Sequence, residues 1–217
     1  MIRASIALKS SLLGLLALLV TSSAQAQIPD FAAMGEETPY GITYDGANLW
    51  ISDYDADKLF KLDANGQVIQ TLNITFTFPR GMAYHDGNLI VTTGSVVRRV
   101  DPATGNQLSS FGSPDSTSPN HQGLCMGDGK LWIVSRGDTD DRIYGVDPTT
   151  GVSQVDFPAP GTNPRGIFYH DGSLWNLDSS SDLLYRISPT DGTVLASYPI
   201  PLGVCRTGIE GDFGFWR

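Results

Sequence analysis

The sequence predicts an all-β protein made of several similar antiparallel sheets, and three observations lead to this prediction. The 217 residues include 20 Asp but only 3 Glu, together with 24 Gly and 13 Pro. Asp, Gly and Pro favour turns, whereas Glu favours helices. The second observation is an internal repeat with a period of 40 to 43 residues, and the third is a set of turn sequences at fixed places within each repeat.

A glycine near the start of each repeat defines the period. These lead glycines are spaced 40, 42, 43 and 42 residues apart, and they are Gly41, Gly81, Gly123, Gly166 and Gly208. A large hydrophobic residue follows each of them at a nearly constant distance, and this second set is Trp50, Ile90, Trp132, Trp175 and Trp216. Five registers at one period indicate a true repeat architecture.

Each repeat contains four short segments with strand character. In the first repeat they are residues 41–44, 49–51, 58–62 and 67–72. Asp-Gly turns separate the first and second strands, and Asp-Pro-x-Thr-Gly turns at 101–105 and 147–151 follow the third. Both sequences supply the backbone geometry that hairpins need. Four antiparallel strands in one repeat of this length are typical of a β-propeller blade, so the predicted fold is a β-propeller.

The repeats predict four complete blades and part of a fifth. The complete blades are 39–78, 79–119, 120–163 and 164–205, and residues 206–217 begin another. Residues 27–38 are interpreted as an N-terminal outer strand and linker. A propeller closes by pairing such a strand with C-terminal inner strands, which removes exposed edges. The favoured interpretation is a fragment of a ring of about five to seven blades; the alternative is an open ring.

The first 26 residues have the pattern of a secretory signal peptide. Arg3 and Lys9 precede a short apolar run at 11–20, and Ala24-Gln25-Ala26 matches a small-x-small cleavage site. The apolar run is too short for a stable transmembrane helix, although a retained membrane anchor is the alternative. The prediction is a secreted or periplasmic protein that has no membrane contact after signal removal. The net charge of −9 speaks against nucleic acid as a partner.

The repeat motif resembles a known group of bacterial proteins. The run Pro-Arg-Gly-x-x-Tyr-x-Asp-Gly-x-Leu-Trp, followed by Asp-Pro-x-Thr-Gly, is similar to secreted propellers related to NHL-repeat proteins, YncE-like proteins, streptogramin lyase and SMP-30-type gluconolactonases. The run His121-Gln122-Gly123-Leu124 also resembles the plant-type glutaminyl cyclotransferases. The resemblance covers nearly all of residues 39–217 and implies the blade fold. It does not imply one activity, because these relatives share a scaffold and not a reaction.

The candidate ligand-binding residues lie just ahead of the lead glycines. Because this position begins the innermost strand of each blade, its side chains are expected at the mouth of the central channel. The candidates are Tyr40, Arg80, His121, Gln122, Arg165 and Arg206. Converging arginines would bind carboxylates or phosphates through two-point contacts. The alternative is that each arginine pairs with an Asp of a neighbouring blade and only strengthens the ring.

Acidic turns on the same face are candidate metal ligands. The candidates are Asp53, Asp55, Asp138 and Asp178, and calcium is the divalent metal that such oxygen ligands would suit. The sequence 53–64 is no EF-hand, because Lys58 stands where the loop needs Gly and Ala64 where it needs Glu. The alternative is that these aspartates form turns.

Two functions remain open at this point. The first is a non-enzymatic propeller that binds a small anionic ligand, a protein or a peptide at the channel mouth. The second is a metal-dependent lyase or lactonase of the kind that the resemblance implies, with His121 as acid or base. Catalysis needs a partner group that sets the pKa and orientation of this histidine, and the sequence offers none. Binding is therefore preferred.

Cys125 and Cys205 could form a disulfide or remain buried thiols.

Overall fold

The computed structural model describes residues 38–114, 120–137 and 140–200. These residues contain sixteen β-strands and no helix, so none of them forms a helix that could span a membrane. The strands form four four-stranded antiparallel sheets, in which they are ordered as in the chain, and the predicted β-propeller fold is confirmed. The predicted signal peptide, most of the N-terminal outer strand and the partial fifth blade lie outside the described residues.

Each blade is one uninterrupted meander of four strands. Blade 1 comprises β1 (Pro39–Tyr44), β2 (Leu49–Asp53), β3 (Lys58–Leu62) and β4 (Val68–Asn73). Blade 2 comprises β5 (Met82–His85), β6 (Asn88–Thr93), β7 (Val96–Val100) and β8 (Gln107–Gly112). Blade 3 comprises β9 (Asn120–Gly127), β10 (Lys130–Arg136), β11 (Arg142–Val146) and β12 (Ser153–Pro158). Blade 4 comprises β13 (Pro164–His170), β14 (Ser173–Asp178), β15 (Leu183–Ile187) and β16 (Val194–Pro199).

The lead glycines allow the inner strands of neighbouring blades to pack backbone against backbone. A Cβ on Gly81 would lie 2.8 Å from the Cα of Gly123, and one on Gly123 would lie 2.8 Å from the carbonyl oxygen of Arg165. A Cβ on Gly41 would likewise clash with the carbonyl oxygen of Arg80. The absence of a side chain, and not a special backbone conformation, is what the repeat requires at this position.

The hydrophobic cores lie between the blades. Trp50 is completely buried between blades 1 and 2, Ile90 between blades 2 and 3, and Trp132 between blades 3 and 4. Each side chain therefore faces the following blade, as expected from their common position in the repeat. Trp175 differs because it is only half-buried, stacked between Phe168 and Tyr198 on the far face of blade 4. The fifth repeat, which would cover this face, lies outside the described residues, so the packing of Trp175 between two blades stays a prediction.

Candidate functional site

A β-bulge distorts the start of the inner strand in three of the four blades. In blade 1, Tyr40 and Gly41 lie between the paired residues Pro39 and Ile42, so two residues oppose one on β2. The same irregularity falls at Gln122 in β9 and at Arg165 and Gly166 in β13. Bulges bend a strand and redirect a side chain, and they are common beside functional sites. The residue ahead of the lead glycine is thus turned out of the regular alternation of the strand.

Three of these redirected side chains meet although they belong to different blades. The hydroxyl of Tyr40 donates a hydrogen bond to Oε1 of Gln122. Nη1 of Arg165 lies 3.0 Å from the same oxygen and 3.4 Å from Oη of Tyr40. Blades 1, 3 and 4 are therefore joined at one point, and the guanidinium of Arg165 has only neutral acceptors there.

Arg80 of blade 2 lies against the same group. Its guanidinium carbon is 5.9 Å from the ring centre of Tyr40 and 5.4 Å from that of Tyr54, and the two tyrosine rings are stacked 5.7 Å apart. Cation–π contacts of this kind favour a guanidinium without neutralising it. We call Tyr40, Tyr54, Arg80, Gln122 and Arg165 the mouth cluster. Tyr54 was not among the predicted residues, although an aromatic side chain directly after the second strand was visible in the sequence.

The cations of the mouth cluster are not neutralised by carboxylates of the described chain. Among residues 38–114, 120–137 and 140–200, neither Arg80 nor Arg165 forms an ion pair. Within the same residues Nε and Nη1 of Arg80 are buried and donate no hydrogen bond. A buried charge without a counter-charge is energetically costly. The alternative in which each arginine pairs with an Asp of a neighbouring blade is therefore not observed for Arg80 and Arg165 within the described residues.

The nearby aspartates bind backbone amides instead. Oδ1 of Asp178 accepts hydrogen bonds from the N–H groups of Ser180 and Ser181, and Oδ2 accepts one from Asn163 at 2.6 Å. Burial raises the pKa of Asp178, but these hydrogen bonds outweigh it and hold the pKa below its ordinary value. Asp53 repeats the arrangement with the amides of Thr38, Asp55 and Ala56. Both residues hold turns at the ends of second strands.

The remaining predicted residues are dispersed. The side chain of Asp55 accepts a hydrogen bond from the hydroxyl of Thr38. His121 is completely buried on β9. Arg206 and Asp138 lie outside the described residues, as does Cys205, so their predicted roles and the disulfide stay predictions. Among the described residues no three His, Cys, Asp or Glu side chains are grouped closely enough to hold a metal ion.

Comparison with known proteins supports the fold and goes no further. No family model matches the chain, and no curated protein sequence matches it. The structure is similar to glutaminyl cyclase of Myxococcus xanthus, with 15% identity and a TM-score of 0.66 over 82% of each chain. It is also similar to virginiamycin B lyase of Staphylococcus aureus, with 17% identity and a TM-score of 0.59 over 83% of this chain and 62% of the lyase.

A third similar structure belongs to a nidogen/laminin complex, with 18% identity and a TM-score of 0.62 over 83% of this chain and 70% of that one. At these identities the likeness concerns the fold. The predicted resemblance to propellers of the streptogramin lyase type is thereby confirmed, and the activities of these proteins remain their own.

Proposed function

We propose that this propeller binds a small anionic ligand, or an acidic group of a peptide, at the mouth cluster and carries out no chemistry on it. One observation carries the proposal: two arginines approach one point between the blades without a carboxylate partner among the described residues. The chain as a whole carries a net charge of −9, so a positive group of this kind stands out from its surroundings.

The chemistry of the cluster suits an anion. A guanidinium binds carboxylate or phosphate with two parallel hydrogen bonds, and the buried Nε and Nη1 of Arg80 have that capacity unused. The hydroxyl of Tyr40 and the rings of Tyr40 and Tyr54 fix the arginines in place. A ligand that supplies the missing negative charge would relieve the cost of two unpaired cations.

The N-terminal pattern supports a location outside the cytoplasm. If residues 1–26 are a signal peptide, the ligand is a periplasmic or extracellular compound. N-terminal sequencing of the protein recovered from the periplasm or the culture medium is expected to begin at Gln27. A protein that is recovered only from the cytoplasm, with Met1 retained, would contradict this part of the proposal.

An internal carboxylate tests the binding proposal. Gln122→Glu is expected to give Arg165 an ion pair within the protein, because Oε1 of Gln122 already accepts a hydrogen bond from it at 3.0 Å. Calorimetric titration of the full chain with succinate and with inorganic phosphate should then lose the binding that the unchanged protein shows, while the thermal midpoint is kept or raised. Succinamide is the uncharged control ligand.

Gln107→Glu is the matched control variant, since Gln107 is exposed on the outer strand of blade 2 and the change in net charge is the same. It should bind both anions like the unchanged protein, and binding should weaken with added salt. Equal affinity in the Gln122→Glu and Gln107→Glu variants, or no binding by the unchanged protein, would refute the proposal.

A further inference from the structure

A pocket of about 440 Å³ lies between blades 1 and 2, beside the mouth cluster. Tyr54 at the end of β2, Phe76 and Phe78 in the connection between the blades, and Arg98 on β7 line it, together with Arg80. Its volume falls within the range of about 300–1,000 Å³ that small-molecule sites occupy. We call it the blade 1–2 pocket.

Arg98 occupies a position that the other blades fill with an aromatic ring. Arg98 pairs with Val91 of β6 in the register in which Phe60 pairs with Ile51, Tyr144 with Ile133 and Tyr185 with Asn176. Directly paired residues share one face of a sheet. Since Val91 belongs to the core between blades 1 and 2, the side chain of Arg98 also emerges on the face that meets blade 1.

The guanidinium of Arg98 is held in this position by an aromatic ring. Its central carbon lies 5.0 Å from the ring centre of Phe76. Nε is buried, and neither a hydrogen bond to it nor an ion pair of Arg98 occurs within the described ranges. Burial lowers the pKa of Arg98 below its ordinary value. Arg98 is half-buried and has no carboxylate partner within the described residues, so its guanidinium can pair with an anion that enters the pocket.

Arg80 adds a second cation to the lining of the pocket. It stacks on Tyr54, and its buried Nε and Nη1 lack partners among the residues described. None of the described residues that line the pocket is acidic. Two guanidinium groups in a lining without carboxylates favour an anion as the ligand.

Phe78 gives the pocket an exposed aromatic rim. Half of its surface is exposed, and its ring lies 5.0 Å from that of Tyr54. Its φ of 57° is in the left-handed region, which a bulky side chain rarely adopts. The backbone N–H of Phe78 donates to Oδ1 of Asp57 at 2.8 Å, which holds the connection in this conformation. Strain of this kind is found where a site must keep a particular side chain in place.

We propose that the blade 1–2 pocket binds a molecule in which a carboxylate lies close to an aromatic ring. Arg98 and Arg80 hold the carboxylate, and Phe78 and Tyr54 contact the ring. A free aromatic acid and a peptide that ends in an aromatic residue share this chemistry. The pocket shares Tyr54 and Arg80 with the mouth cluster, whereas Arg98 and Phe78 belong only to the pocket.

The test uses N-acetylphenylalanine as the probe and follows backbone amide signals of the full chain by NMR. The unchanged protein should bind it with shifts at Thr77, Thr93 and Gly94. N-acetylphenylalaninamide, which lacks the carboxylate, and N-acetylalanine, which lacks the ring, should each bind at least about tenfold more weakly. The proposal is overturned if N-acetylphenylalaninamide binds as tightly as N-acetylphenylalanine. It is also overturned if the unchanged protein does not bind N-acetylphenylalanine.

Variants separate the pocket from the mouth cluster. Arg98→Met should weaken binding of the acid by at least about tenfold, because a charge-assisted hydrogen bond is lost. Arg98→Lys keeps the charge but not the two-point contact, so its affinity for the acid should lie between those of the unchanged protein and Arg98→Met. It replaces Arg98→Met in the test if that variant does not fold. Phe78→Gly should lose affinity without a lower thermal midpoint, and Phe78→Tyr should restore the affinity.

Arg165→Met, which changes only the mouth cluster, should bind N-acetylphenylalanine normally. Binding that disappears in Arg165→Met but survives in Arg98→Met would place this ligand at the mouth cluster and overturn the pocket. An aliphatic control acid that binds as tightly as the aromatic one would overturn the role of Phe78. A tripeptide that ends in phenylalanine distinguishes a peptide from a free acid as the natural ligand. It should bind at least as tightly as N-acetylphenylalanine if the pocket admits a peptide chain, and more weakly if the pocket admits only the free acid.

Discussion

The two interfaces of blade 2 are built from the same repeat, and one difference between them is a charged residue at a position that is otherwise aromatic. Towards blade 3, the repeat position holds Tyr144, which is 5% exposed and packed among Ile90, Leu124 and Ile133. Towards blade 1, the equivalent position holds Arg98, and a pocket opens beside it. Strand pairing is the same on both sides. The repeat thus determines the backbone, whereas the side chains at each interface, Arg98 and Tyr144 among them, differ between a pocket and a packed core.

The largest effect is expected when the solid interface is made to resemble the open one. Tyr144→Arg would place a cation in a core where the surrounding described residues are apolar. An uncompensated buried charge costs about 3–5 kcal/mol, and the packing of the ring is lost as well. Denaturant unfolding of the full chain should show a loss of at least this size. A loss below about 1 kcal/mol would mean that this interface can open as the other one does.

A nearly equal effect is expected at the interface between blades 3 and 4. Trp132 is completely buried there and its ring is tilted against that of Phe157, so Trp132→Ala should cost about 3–5 kcal/mol. Trp175→Ala is the matched control at the same repeat position, and it should cost clearly less because this ring is only half-buried. Equal losses in the two variants, measured by denaturant unfolding, would show that the far face of blade 4 is covered in solution.

The reverse exchange should have a moderate effect of the opposite sign. Arg98→Tyr restores the aromatic residue of the other blades, so it removes a half-buried unpaired cation and fills part of the pocket. The gain is expected at about 0.5–2 kcal/mol, with a higher thermal midpoint and loss of N-acetylphenylalanine binding. A variant that is less stable than the unchanged protein would indicate that Arg98 has a stabilising partner, and the comparison of the two interfaces would then need revision.

The sequence predicts the fold well because each blade is encoded locally. Asp-Gly turns place a positive φ where hairpins need it, as at Asp86 and Gly87, and the alternation of buried residues defines the strands. The mouth cluster was predictable in part, because Tyr40, Gln122 and Arg165 share one repeat position. The contacts among them were not predictable, because they depend on the bulges that redirect these side chains.

Two further features could not be read from single positions. Arg98 stands out only against its equivalents in the other third strands, which are Phe60, Tyr144 and Tyr185. The aspartates at the ends of the second strands were considered as metal ligands or as partners of arginines. Their actual partners are backbone amides, and the sequence does not specify the turn geometry that brings those amides within reach.

The smallest effect is expected at one of these turns, away from both interfaces of blade 2. The folded-state pKa of Asp178 is held below its ordinary value of 3.8, because hydrogen bonds from Ser181 and Asn163 outweigh burial. The ionised carboxylate therefore stabilises the folded state at any pH above the unfolded value. This contribution is lost as the pH falls from about 3.8 through the lower pKa of the folded state.

Asp178→Asn removes the charge but keeps one carbonyl oxygen as an acceptor. The variant should be less stable than the unchanged protein at pH 7 by about 0.5–1.5 kcal/mol, and the difference should shrink as the pH falls below 4. Asp63→Asn is a control for the exposed case, because its carboxylate also accepts backbone hydrogen bonds but lies in solvent. Thermal midpoints measured across this pH range give the comparison. A difference between Asp178→Asn and the unchanged protein that stays constant down to the acid limit would mean that hydrogen-bond geometry, and not ionisation, is what Asp178 contributes to the turn.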